Sequence, residues 1–110
     1  MLPNGLGYPH LDPGKNFNFF SYTMMEFIAT RLLMFTVYLL AINKTKPGDE
    51  LDGLLIGLSY TLGIFTIGPW TGAALNPMRV FGPALINGDL WRQGIYNYQY
   101  LVYVIGPMLG

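Results

Sequence analysis

The sequence predicts an all-α membrane protein with two full spans, one short re-entrant half-helix and the beginning of a further span. Three observations predict it. Hydrophobic residues make up 52% of the 110-residue chain and charged residues 11%, about half the charged share of an ordinary soluble domain. Two apolar runs, 19–42 and 53–70, have or approach the length needed to cross a hydrocarbon core of about 30 Å. After the second run, an Asn76-Pro77 pair opens a helical stretch that is too short to cross.

Residues 1–18 are rich in Pro, Gly and Asn and read as a polar loop. They lack the basic stretch followed by an apolar core that marks a secretory signal. The sole histidine, His10, lies here and reads as a solvated loop residue, since any metal bound there would find no second His or Cys. The run 19–42 has 24 residues and two charges, Glu26 and Arg31. A polar connector over 43–52 follows, and its Lys44 and Lys46 predict that it faces the cytoplasm. The second run, 53–70, has 18 residues and no charge, with glycines at 53, 57, 63 and 68. Small residues at such spacing are expected to let helix backbones approach closely within a membrane.

The segment 71–87 is read as a loop leading into a half-helix from Asn76 to about Asn87. Irregular backbone at membrane depth is tolerated where protein buries it or water reaches it. Asn87-Gly88-Asp89 is a turn signal. Residues 88–99 mix Trp, Tyr, Asn and Gln, as an interfacial belt does. Residues 100–110 are apolar but cover about half a span. The sequence is therefore expected to be incomplete, because two spans and half a third leave an open, unpaired surface.

Composition also excludes classes of function. Formal net charge is zero and cysteine is absent, so nothing points to nucleic acid, disulfides or thiolate metal sites. An enzyme has no support: Ser21 and Ser59 have no base near them in sequence. No cofactor or metal is expected.

The chemistry-bearing residues lie around the half-helix. Asn76 is a good N-cap, since its side chain can accept from an amide of the first turn. Pro77 suits the first helical position, where its missing N–H costs nothing. A helix N-terminus carries roughly half a positive charge, and Arg79 adds a permanent cation with a fork of N–H donors. Such a tip, aimed into a narrow water-filled path, repels cations and hydronium. The Asn76 amide can hold a water that must accept and turn its hydrogens outward. The competing readings are a mere cap on a buried helix for Asn76 and Pro77, and a snorkelling surface arginine for Arg79.

Glu26 is an acidic residue inside a span, which costs about 2.5–3.5 kcal/mol on insertion scales, so it needs partners. Thr30, one turn on, shares its face. A proton-relay carboxylate is the rival reading. Arg31 lies five residues after Glu26, roughly 140° around the helix by the helical repeat. A direct pair between the two is therefore strained, which leaves Arg31 to face a neighbouring subunit or another part of the fold.

These residues resemble the C-terminal half of an aquaporin, a member of the major intrinsic protein family. Glu26-Phe27-Ile28-Ala29-Thr30 looks like the start of the family's fourth span and Gly57-Leu58-Ser59-Tyr60-Thr61-Leu62-Gly63 like the fifth. Residues 71–84 look like the second pore loop, with Asn76-Pro77-Met78 in place of the usual Asn-Pro-Ala. Ile105-Gly106-Pro107 fits the beginning of the sixth span.

The resemblance implies an aquaporin-like half, whose missing first half is needed for a complete pore. It implies a passive channel for water or small uncharged, glycerol-like solutes, and a homotetramer with one pore per subunit. The alternative is a truncated, non-conducting membrane protein that assembles with or regulates intact channels. By resemblance, Arg79 matches the arginine of the selectivity constriction, and Ile64 and Ala73 match two further constriction positions. Plain helix packing is the competing reading for Ile64 and Ala73. Glu26, with Thr30, is expected to hold the re-entrant loop by accepting from its amides. Met78 is bulkier than the usual alanine at the half-helix contact. Val80 departs from both the water-channel and the glycerol-channel patterns, so substrate stays open.

Overall fold

The computed structural model describes Leu11 and residues 18–42, 50–88 and 98–110. His10, Lys44, Lys46 and most of the loops expected at 1–18, 43–52 and 88–99 lie outside the described residues. All regular structure among the described residues is helical. Helix α1 covers Phe19–Val37 and passes into a π-helical turn over Tyr38–Ile42. Helix α2 covers Leu51–Thr71, α3 Pro77–Ile86 and α4 Tyr98–Leu109.

The first two helical segments, Phe19–Ile42 and Leu51–Thr71, are long and apolar enough to cross a membrane. Length and apolarity alone would also fit core helices of a soluble protein, and burial argues against that here. Only 17% of the apolar stretch of the first and 11% of the second is buried. Phe20, Ile28, Phe35, Ile42 and Phe65 all stand exposed. Helices apolar on every side, with large side chains uncovered, require lipid or further protein around them. Their hydroxyls are kept from that surrounding by bonds back to the helix. Thr23 donates to the Phe19 carbonyl at 2.8 Å, Thr36 to Leu32 at 2.9 Å, Thr61 to Gly57 at 2.9 Å and Thr66 to Leu62 at 2.7 Å.

Helix α1 is the hub, packing against both α2 and α4, and α3 packs on α4. Helix α2 turns its Gly63, Ile67 and Thr71 inward at four-residue spacing, the interval that lines up one helical face. The close approach expected along α2 occurs at Gly63 alone among its glycines. A Cβ there would lie 3.3 Å from Leu75, whereas Gly53 and Gly57 have nothing within 4 Å and Gly68 meets only Ile64 of its own helix. Gly53 and Gly57 lie on a face of α2 that no described element covers.

The tightest crossing is between α1 and α4. A Cβ at Gly106 would lie 2.7 Å from Glu26 Cβ and 2.9 Å from the Thr23 carbonyl oxygen. A Cβ at Gly110 would lie 2.6 Å from the Phe27 carbonyl oxygen. Gly106 and Gly110 form a Gly-x-x-x-Gly pair, whose missing side chains let backbones touch. Arg31 is exposed on the outside of α1, where it shares a surface groove of about 300 Å³ with Met34, Phe35, Tyr38, Ile42 and Gly110.

Two apolar clusters flank the loop between α2 and α3. One gathers Tyr22, Ala74, Val80, Ala84, Tyr100, Val102 and Tyr103 with Leu11; the other gathers Ala29, Ile67, Ala73 and Leu75. Successive loop residues thus point to alternate sides, and the loop is wedged between two packed layers.

Replacing Gly106 by Val should drive α4 off α1, because the new Cβ falls well inside contact distance of backbone. Overpacking of this kind costs about 1–3 kcal/mol. Thermal unfolding in detergent should show a lower midpoint for Gly106→Val than for Gly57→Val, a site with open space around it. Equal midpoints would contradict this account of the crossing.

Candidate functional site

The site begins where α2 ends. Gly72 takes the left-handed conformation at φ 75° and its amide donates to the Gly68 carbonyl at 2.8 Å, a common helix stop. The chain then does something that its residue types disfavour. Ala73 at φ 49° and Leu75 at φ 55° are also left-handed, at a cost of roughly 1–2 kcal/mol per non-glycine residue.

What holds this backbone is the Glu26 carboxylate. It is fully buried. Its Oε1 accepts from the Ala74 amide at 3.0 Å and from the Thr71 hydroxyl, and its Oε2 accepts from the Leu75 amide at 2.9 Å. The Thr71 hydroxyl oxygen in turn accepts from the Ala73 amide at 3.1 Å. Three successive loop amides are thereby satisfied, two by a carboxylate. Hydrogen bonds to charged groups contribute about 1.5–3 kcal/mol each, enough to offset the strained dihedrals. Tyr103 of α4 adds a further clamp, its hydroxyl donating to the Thr71 carbonyl.

Thr30, grouped with Glu26 from the sequence, makes no hydrogen bond to the loop. It is buried one turn further along α1, beneath Gly110, the residue after α4. Its Oγ1 finds no partner among the described residues, and the residue lines the cleft.

From Leu75 the chain enters α3. Asn76 is extended, and its Oδ1 accepts from the Met78 amide at 2.9 Å, with Pro77 in the first helical position. With Oδ1 turned to the Met78 amide, the carboxamide NH₂ is the donor that Asn76 can offer. Arg79 lies three residues on, and its Nη1 donates to the Ala73 carbonyl and, at 3.2 Å, to the Tyr60 hydroxyl. The residues meet on an open cleft of about 530 Å³ whose wall includes Thr30, Tyr60, Leu75, Asn76, Pro77 and Arg79.

The expected site residues therefore separate into two groups. Asn76, Pro77 and Arg79 line the cleft. Ala73 and Ile64 do not: Ala73 is fully buried, Ile64 is packed beside it, and Ala73 reaches the guanidinium through its backbone carbonyl. Met78 is 68% exposed on the outer side of α3 and is not part of the cleft wall. Three polar groups join the site that sequence reasoning did not single out: Tyr60, Thr71 and Tyr103. For Tyr60 a signal existed, since it stands four residues before Ile64 and so shares its helical face. For Tyr103 there was none.

In electrostatic terms, the cleft faces the N-terminus of a ten-residue helix and one guanidinium. Both are donors and both are positive. Such a wall offers hydrogen bonds to oxygen atoms of neutral molecules and repels cations.

Comparison with known proteins identifies the family. A sequence model of the major intrinsic protein family matches residues 7–110. The chain is 38% identical over 87 residues to a probable aquaporin TIP3-2 of Oryza sativa subsp. japonica, covering 79% of this chain and 30% of that protein. It is 37% identical over 106 residues to aquaporin AqpM of Methanothermobacter thermautotrophicus, covering 96% and 42%. With aquaporin NIP3-1 of Arabidopsis thaliana it shares 40% over 90 residues, covering 79% and 24%. The chain thus spans less than half the length of these relatives. With its helical order, its strained loop and its Asn-Pro half-helix, the chain belongs to the major intrinsic protein family.

Proposed function

We propose that this chain supplies one half of a passive membrane channel for water or small uncharged solutes. The observation that carries the reading is the tip of α3, with Asn76 capping it and Arg79 beside it, open to a cleft of about 530 Å³. The relatives named aquaporins support the same class of function. In this reading the protein is an integral, multi-pass membrane protein of a non-catalytic family.

Selection follows from the wall chemistry. A water at Asn76 accepts from the carboxamide NH₂ and from the positive helix end, and so turns its hydrogens away. A chain of waters crossing that point cannot pass a proton by hopping. Arg79 raises the barrier to cations and donates to the oxygen of a neutral solute. Ile64 and Ala73 back the constriction from behind the cleft wall with apolar packing, and Ala73 also fixes Arg79 through its carbonyl. Met78 completes the motif from the outer side of α3. Glu26 braces the loop so that these groups hold their places, and Thr30 packs behind it. Residues beyond this half complete the wall, and four copies assemble with one pore each.

Two measurements test this. The natural full-length polypeptide in vesicles should speed osmotic shrinkage without raising proton leak; unchanged shrinkage would count against the channel. Arg79→Val should keep water flow but raise cation or proton leak. A unit charge passing about 6 Å from the guanidinium, at an effective dielectric constant near 20, feels about 3 kcal/mol, or roughly 100-fold in rate. A variant as tight as the wild type would remove Arg79 from the barrier.

Glu26→Gln tests the brace. An amide keeps one acceptor but sets an NH₂ against a loop N–H, and each buried group left unpaired costs about 1–3 kcal/mol. The expected result is a lower unfolding midpoint together with reduced water flow per inserted molecule. A variant that melts and conducts as the wild type would refute the role.

A further inference from the structure

We propose that Tyr60 is a positioning residue of the cleft: it fixes the orientation of the Arg79 guanidinium and adds its own hydroxyl to the solute path. The inference rests on the channel reading above and concerns how the same site discriminates between neutral solutes.

The ring of Tyr60 packs against the cluster of Ala29, Ile67, Ala73 and Leu75. The phenol is therefore a rigid post rather than a swinging arm. Its hydroxyl meets Arg79 Nη1 at 3.2 Å, and both residues line the cleft. Nη1 carries two N–H groups. One donates to the Ala73 carbonyl and the other to Tyr60, which accounts for both. A planar guanidinium held at one acceptor can pivot about that bond. Held at two, it has a defined plane, and Nε and Nη2 carry the donors that remain for a solute.

The phenol also changes the wall directly. Because it accepts from Nη1, it keeps its own proton to donate. Along this part of α2 the neighbouring inward positions, Gly63, Ile64 and Ile67, offer no side-chain donor. Tyr60 thus places a neutral donor next to the charged one. A solute carrying more than one oxygen can meet both. Loss of the hydroxyl removes that donor and frees the guanidinium to swing across the cleft, which obstructs larger solutes most.

The test compares wild type with Tyr60→Phe, which keeps the ring and its packing but lacks the hydroxyl. The natural full-length polypeptide is placed in vesicles, and permeability is measured for water, formamide, urea and glycerol, normalised to protein per vesicle. For the largest of these that the wild type passes, Tyr60→Phe should lower permeability about two- to tenfold, the range that one net hydrogen bond supports. In an Arg79→Val background, or Arg79→Lys should the first fail to insert, the same change should lower it by a smaller factor, because the direct donor is still lost but no guanidinium is left to be positioned. A role confined to helix packing would lower it equally in both backgrounds. An unchanged permeability in Tyr60→Phe, or an equal loss in both backgrounds, overturns the proposal. A wild type that passes none of the probes overturns the channel reading itself, which distinguishes that failure from a failure of Tyr60.

Discussion

One buried carboxylate organises this half-fold. Glu26 accepts from two successive amides and a hydroxyl at the foot of α2, and those bonds offset the left-handed backbone at Ala73 and Leu75. An isolated charge at such depth is costly. Here it is surrounded by donors that the loop could not otherwise satisfy, so two local difficulties, an unsolvated anion and an irregular backbone, cancel each other. The placement of Asn76, the start of α3 and the exposed face of its first turn follow from where that loop is pinned.

The cleft inherits its character from the same knot. The loop conformation turns the Ala73 carbonyl toward Arg79, so the strained residue that Glu26 stabilises becomes the acceptor that anchors the guanidinium. Structural support and wall chemistry are linked through a single peptide unit. Tyr103, reaching from α4 to the Thr71 carbonyl, ties the same knot to the third packed helix. The site is thus assembled by α1, α2 and α4 together with α3, although its named motif lies on one short segment.

Much of this was legible in the sequence, and the limits were physical. The all-helical class and the two long apolar helices follow from uninterrupted hydrophobic runs. The Asn76 cap and the Pro77 helix start follow from residue chemistry at a helix boundary. Glu26 announced a need for partners simply by being acidic within a span. The positive φ of Ala73 and Leu75 could not be read, because neither residue type favours it and the cause lies 47 to 49 positions earlier in the chain, at Glu26. The glycines of α2 invited an expectation of close packing that only Gly63 meets. The decisive small residues were Gly106 and Gly110, and spacing alone does not tell which glycine faces a neighbour. Nor does the Asn-Pro-Met string show that Met78 stands exposed and outside the cleft wall.

The crossing at Gly106 has a mechanical consequence. With no side chain between α1 and α4, the two backbones bear directly on one another, as a cog bears on its neighbour with no play between the teeth. Displacement of α4 cannot be absorbed by a rotamer change at that point. It is transmitted at once to the turn of α1 that carries Glu26, and through Tyr103 to the last turn of α2. Any force applied to α4 is therefore delivered to the loop and to the tip of α3 that follows it.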